Sequence, residues 1–180
     1  MRVWLVLGVV WACLVLGVPL GKAPMVPTAT GQTAYGLTAG QPAPAFTAQT
    51  PAGNTVALQD YHGQPVIINF WATWCAPCRR EMAALQAVYE AHNTSGLVIL
   101  AVSQDSADTV EAVQAYWTTL GLTFLALLDP EGVIARPYRA VFLPTTVFVH
   151  PSGTVAAIHL GPMTQPQIEH YLKAMLPQPG

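Results

Sequence analysis

Two cysteines three positions apart, Cys75 and Cys78, lie in the run Asn69-Phe70-Trp71-Ala72-Thr73-Trp74-Cys75-Ala76-Pro77-Cys78, where a short apolar stretch gives way to a helical pattern. On a helix, residues three apart share a face with Cβ atoms ~5–6 Å apart, close enough for small adjustments to reach the ~3.5–4.5 Å of a disulfide. The pair is therefore able to cycle between dithiol and disulfide. Cys75 falls at the helix start, where unpaired N–H groups and the helix dipole favour negative charge. Its thiolate is expected to form well below the free value of ~8.5, which makes it the attacking sulfur. Cys78, one turn further in and better shielded, suits the resolving role, attacking Cys75 to release a mixed disulfide. Pro77 is tolerated there because first-turn N–H groups have no helical partner. A static disulfide would close only a tiny loop and stabilise little. Half of a zinc site would need a second cysteine pair or paired histidines, and His62, His92, His150, His159 and His170 show no such spacing.

The elements that must position this pair are legible as patterns. Val66-Ile67-Ile68-Asn69-Phe70 is a nearly continuous apolar, β-branched run, the mark of a strand covered on both faces. From Cys75 to about His92, the residues Cys78, Met82, Leu85, Val88 and Tyr89 recur at helical spacing, and Asn93-Thr94-Ser95-Gly96 stops the helix. Leu97–Val102 predicts a second buried strand. Asp108–Leu120 predicts an amphipathic helix with Val110, Val113, Tyr116 or Trp117, and Leu120 inward, ended by Gly121. Thr123–Leu128 reads as a third buried strand, followed by a proline-interrupted helical stretch near Glu131–Arg139. Thr145–Val149 and Thr154–Leu160 flank the turn Pro151-Ser152-Gly153, and Thr164 caps a last helix running to about Met175. Ahead of all these, Phe46–Gln49 and Thr55–Leu58 form an N-terminal hairpin around Pro51-Ala52-Gly53-Asn54. The order predicts an α/β fold with a central mixed sheet flanked by helices, and no internal repeat.

Composition narrows the function classes. The chain has 180 residues, room for one domain of ordinary size. Charged residues are 9% and hydrophobic residues 52%, which excludes disorder as a global description. A net charge of −2 leaves no electrostatic footprint for nucleic acid. Val3 to Leu20 is an uncharged apolar run between Arg2 and Lys22, near the lower limit for crossing a bilayer core of ~30 Å. Residues 1–22 are expected to act as a signal-anchor or as a signal peptide cut after a small residue such as Ala23. A lipid-modified Cys13 is disfavoured by Trp11 and by the apolar Leu14–Leu16. Charge flanking leans towards the N-terminus inside. Residues 23–39, rich in Pro, Thr, Gly and Ala, read as a tether, and 40–176 as the catalytic domain. The domain would then work at the extracytoplasmic face of the membrane, or be secreted or periplasmic after cleavage.

Taken together, Phe70-Trp71-Ala72-Thr73-Trp74-Cys75-Ala76-Pro77-Cys78, Glu81, the opening Gly40-Gln41-Pro42-Ala43-Pro44-Ala45-Phe46 and Leu143-Pro144-Thr145-Thr146 resemble the thioredoxin fold. Within it they resemble the membrane-tethered thiol–disulfide oxidoreductases of the TlpA/ResA type, over roughly Gly40 to Leu176. The resemblance implies a redox-active Cys75–Cys78 disulfide with no other cofactor and no metal, and thiol- or disulfide-bearing protein substrates. A membrane thiol donor and a reductive role, for example in cytochrome c maturation, are further implications. It makes Leu143-Pro144 a cis-proline loop facing the cysteine pair, with Leu143, Thr145 and Trp74 contacting substrate. It also places Glu81 near the pair, where a partly buried carboxylate would have a raised pKa and move protons.

The chain departs from thioredoxins proper by carrying Asn69 where those have a buried aspartate, so this residue takes no proton itself. Arg79 and Arg80 read as a solvated pair, and Trp71 as packing around the site. The absence of a histidine in Ala76-Pro77 favours a reductant over a strong oxidant. A copper-delivery protein of the same fold is the alternative, with His150 and His159 as candidate ligands, although such proteins generally space their cysteines more widely. A peroxiredoxin would need Thr or Ser where Ala72 stands.

Overall fold

A computed structural model describes residues 37–106 and 109–175, so residues 1–22 and most of the expected tether lie outside the described residues. Among the described residues no helix is long and apolar enough to cross a membrane.

Burial on both faces puts β3 (Val66–Trp71) at the centre: every residue of the strand is buried. Ile67 and Trp71 pack into one cluster with Met82, Leu85, Val88, Val113, Ile168 and Leu172, on the side of helices α1 (Ala76–His92), α2 (Val110–Leu120) and α4 (Gln165–Lys173). Val66, Ile68 and Phe70 face the opposite cluster with Leu100, Val102, Tyr138 and Val147. Fully burying a side chain of this size contributes about 1.5–3 kcal/mol, so a two-faced strand is strongly held in register.

β4 (Val98–Ser103) and β5 (Leu125–Leu128) follow as parallel neighbours, while β6 (Thr145–Val149) and β7 (Val155–Leu160) add antiparallel strands on the other side. The N-terminal hairpin of β1 (Thr47–Gln49) and β2 (Thr55–Ala57) extends the sheet beyond β5 through Gln49 and Leu128, giving the order β2-β1-β5-β4-β3-β6-β7. Gly40 and Ala43 donate their N–H groups to Val155 and Gly153, so the opening segment runs beside the β6–β7 turn.

Two elements differ from their sequence patterns. Leu120, expected inward on α2, is 46% exposed because Gly121, at φ 62°, ends the helix there and leaves its last turn at the surface. The stretch near Glu131–Arg139 yields only the single turn α3 (Ala135–Tyr138). Asp129 caps it, accepting from the N–H groups of Ile134 and Ala135.

Candidate active site

β3 ends at Trp71, and the chain turns through Thr73 and Trp74 before α1 begins. Cys75 is the N-cap of that helix, and its Sγ accepts the Cys78 N–H at 3.3 Å. Cys75 and Cys78 form a disulfide with Cα atoms 5.3 Å apart. Both cysteines are buried, Cys78 at 0% exposed and Cys75 at 5%, so of the two only the first residue keeps any contact with solvent. The helix-start N–H that meets Cys75 Sγ is the group that would stabilise its thiolate once the disulfide is broken.

A buried carboxylate fixes the loop beneath the pair. Asp105 lies two residues past the end of β4 and accepts from Thr73 N–H at 2.9 Å, from the Thr73 hydroxyl and from the Ser103 hydroxyl at 2.7 Å. Its neighbours are donors, which suits an ionised, acceptor-only group. Asparagine at this position would turn its amide N–H groups towards those donors. Asp105→Asn is therefore expected to destabilise the oxidised protein by about 1–3 kcal/mol in urea unfolding, no less than Asp105→Ala. A loss below about 0.5 kcal/mol would show that the loop does not depend on this anchor. Sequence reasoning passed over Asp105. Its signal was an acid two residues after a buried parallel strand, at the strand end where open α/β sheets carry their sites.

Glu81 lies one turn beyond Cys78 and is 1% exposed. Its Oε1 accepts from Asn69 Nδ2 at 2.7 Å and its Oε2 from the Met163 N–H at 2.9 Å. Burial raises its pKa to about 7, against the lowering effect of those two hydrogen bonds. Asn69 shares the α1 face of β3 and also donates to Thr146 Oγ1 at 2.9 Å across the β3–β6 pair. Thr146 and Met163, brought in from distant parts of the chain, had no sequence signal pointing to Glu81.

The Leu143–Pro144 peptide bond is cis. The pairing of Phe70 with Thr145 sets this loop at the same sheet end as the turn that carries Cys75. Leu143 is half-buried and Pro144 buried. Thr145 is buried too, and its hydroxyl donates to the Phe142 carbonyl at 2.6 Å, so that side chain shapes the loop instead of reaching the surface. Val141 and Phe142, which sequence reasoning did not single out, are 79% and 71% exposed, and Trp74 is 68% exposed. Apolar surface is thus laid out on both segments that border the disulfide. Trp71 is fully buried, stacked on Tyr116 at 5.3 Å. Arg79 and Arg80 are exposed.

The histidines are engaged elsewhere. His159 Nδ1 meets the Tyr171 hydroxyl, His150 Nδ1 meets Ser152, and His92 pairs with Glu169 at 2.9 Å. No group of three or more His, Cys, Asp or Glu side chains converges among the described residues.

Residues 39–158 match the AhpC/TSA family. Over 138 residues the chain is 39% identical to the thioredoxin-like protein YneN of Bacillus subtilis, covering 76% of this chain and 80% of that one. It is 35% identical over 138 residues to the thiol-disulfide oxidoreductase ResA of Geobacillus kaustophilus, covering 77% of this chain and 78% of the relative. Among solved structures, a putative thiol:disulfide interchange protein DsbE from Chlorobium tepidum superposes with a TM-score of 0.70 at 26% identity, covering 77% of this chain and 99% of that one.

Proposed function

Because the chain belongs to the AhpC/TSA family, with the thioredoxin-like fold, and is a thiol–disulfide oxidoreductase of the ResA and DsbE type, we propose that Cys75 and Cys78 reduce disulfides in exported proteins. The observation that carries this reading is the asymmetry of the pair: Cys75 stands at the helix N-cap and keeps a slight contact with solvent, while Cys78 is fully buried one turn behind it. In the reductive direction the Cys75 thiolate attacks a substrate disulfide. A mixed disulfide forms and the first substrate thiolate leaves. Cys78 then gives its proton to the Glu81 carboxylate and attacks Cys75 Sγ, which expels the second substrate thiolate and re-forms the Cys75–Cys78 disulfide. Two electrons pass to the substrate, and an upstream thiol donor at the membrane restores the dithiol.

Substrate docks on Trp74, Val141, Phe142 and Leu143 beside Pro144, with Thr145 holding the loop in shape. Residues 1–22 place the domain on the extracytoplasmic side of the membrane, residues 23–39 tether it, and 40–176 form the catalytic domain. Apocytochrome c, whose haem-binding cysteines must be reduced, is the substrate class we propose, on the likeness to the ResA proteins. Ala72 is buried and offers no hydroxyl beside the pair, so peroxide chemistry is not part of the reading.

The experiment is equilibration of the purified protein with glutathione redox buffers. Thioredoxin-like pairs run from about −270 mV for reductants to about −120 mV for oxidants, and this pair is expected nearer the first. A potential above about −180 mV would reverse the direction assigned here.

A further inference from the structure

The network around Glu81 suits an ionised carboxylate and leaves a protonated one without a partner. Asn69 Nδ2 donates to Glu81 Oε1 and to Thr146 Oγ1, and Met163 N–H donates to Glu81 Oε2. With donors on both oxygens, a proton added to either finds no acceptor. On the far side of the same amide, Asn69 Oδ1 is buried and accepts no hydrogen bond from any described residue. A buried acceptor left unmet in this way is rare and calls for an explanation.

The oxygen and nitrogen ends of an amide have nearly the same shape, so a half-turn about the Asn69 side chain changes the pairing without disturbing the packing. After that turn, Oδ1 occupies the place of Nδ2. It accepts from a protonated Glu81 and from the Thr146 hydroxyl, and both of its lone pairs are filled. The unmet group becomes Nδ2. Each protonation state of Glu81 therefore has one amide orientation that fits it, with one unpaired end in either case.

We propose that Asn69 is a proton-linked switch, whose amide donates to Glu81 and Thr146 while Glu81 is ionised and turns over to accept from both when Glu81 carries a proton. Asparagine takes no proton itself, yet it is a positioning residue for the one that moves. An aspartate at this place would instead set a second charge against Glu81. The other titratable side chains packed on this face are Tyr89 of α1, Tyr116 of α2, which stacks on Trp71, His159 of β7, which lies opposite Thr146, and Tyr171 of α4, which His159 meets, while Cys75 and Cys78 are held in the disulfide and do not titrate. The strand β3, the loop at Met163 and β6 present only uncharged groups, Asn69, the Met163 N–H and Thr146, to the carboxyl. The role in catalysis rests on the redox function proposed above, whereas the switch itself is measurable in the oxidised protein without substrate.

The test uses the full chain in detergent micelles, oxidised, with selective ¹⁵N labelling of asparagine, which the sequence restricts to Asn54, Asn69 and Asn93. Nuclear Overhauser contacts between the Asn69 amide protons and the Thr146 methyl group are expected above the Glu81 midpoint, and lost below it with the same midpoint as the Glu81 carboxyl carbon. Glu81→Gln imitates the protonated acid: its carbonyl takes the Met163 N–H and its N–H group meets Asn69 Oδ1. It is expected to show the low-pH pattern at every pH. Contacts that stay unchanged while Glu81 titrates, a Glu81 that does not titrate between about pH 5 and 9, or a Gln variant in the high-pH pattern would each overturn the switch. Should Glu81→Gln fail to fold, the wild-type titration decides alone. If the switch fails while Cys75→Ser still loses exchange, only this inference falls; if Cys75→Ser keeps exchange, the redox reading falls on its own.

Discussion

Serine in place of Cys75 abolishes disulfide exchange, an expected loss on the order of 10³-fold or more in insulin reduction, because no other group can open the substrate disulfide. Cys78 cannot take over, since it is fully buried behind Cys75. The two single variants separate by direction. Cys78→Ser keeps the nucleophile and loses the group that releases it, so mixed disulfides with substrate accumulate on Cys75 and are visible by mass as covalent adducts. Cys75→Ser forms none. Neither substitution is expected to unfold the chain, because the bridge closes a very short loop and such bridges contribute little stability. Insulin reduction that survives in Cys75→Ser would reject the assignment of the pair.

The cysteine pair was legible because its meaning depends on local order alone: a buried strand, a turn and a helix within a dozen residues. β3 and α1 followed from the same short-range patterns, and the sheet's composition from β-branched runs bounded by turns. The part of the site proposed to move protons was only half visible. Glu81 could be placed on the stripe side of the helix by its position three residues after Cys78, but its partners could not. Asn69 lies 12 residues away in sequence and Met163 lies 82 away, while Thr146 reaches Asn69 across a separation of 77. Such contacts exist only once β6 pairs with β3, and no periodicity within one element encodes them. Asp105 was missed for a similar reason: its value lies in Thr73, which stands 32 residues earlier on a neighbouring strand end. The exposed Val141 and Phe142 defeat pattern reading in another way, since an apolar pair before a strand looks like core until the loop is seen at the surface.

Glu81→Gln is expected to act on both activity and stability, with opposite uses of the same proton. In exchange, the proposed transfer of the Cys78 proton to this carboxylate predicts a wild-type rate that climbs as pH passes through about 7. The glutamine variant loses that limb and falls by on the order of 10²-fold near neutrality, keeping only the pH dependence of the thiols themselves. In stability, the sign follows from proton uptake. The folded-state pKa of about 7 lies above the reference value of 4.5, so between the two the folded chain holds a proton that the unfolded chain has released. That advantage is complete below the unfolded value and disappears as pH rises through the folded one. At about 1.4 kcal/mol per pKa unit, the oxidised wild type should lose about 3 kcal/mol relative to Glu81→Gln between about pH 4 and pH 8. Denaturant titrations of both proteins across that range measure the difference directly. A gap that stays flat, or widens in the wild type's favour as pH rises, would mean that burial does not raise this carboxyl and that Cys78 yields its proton to another base.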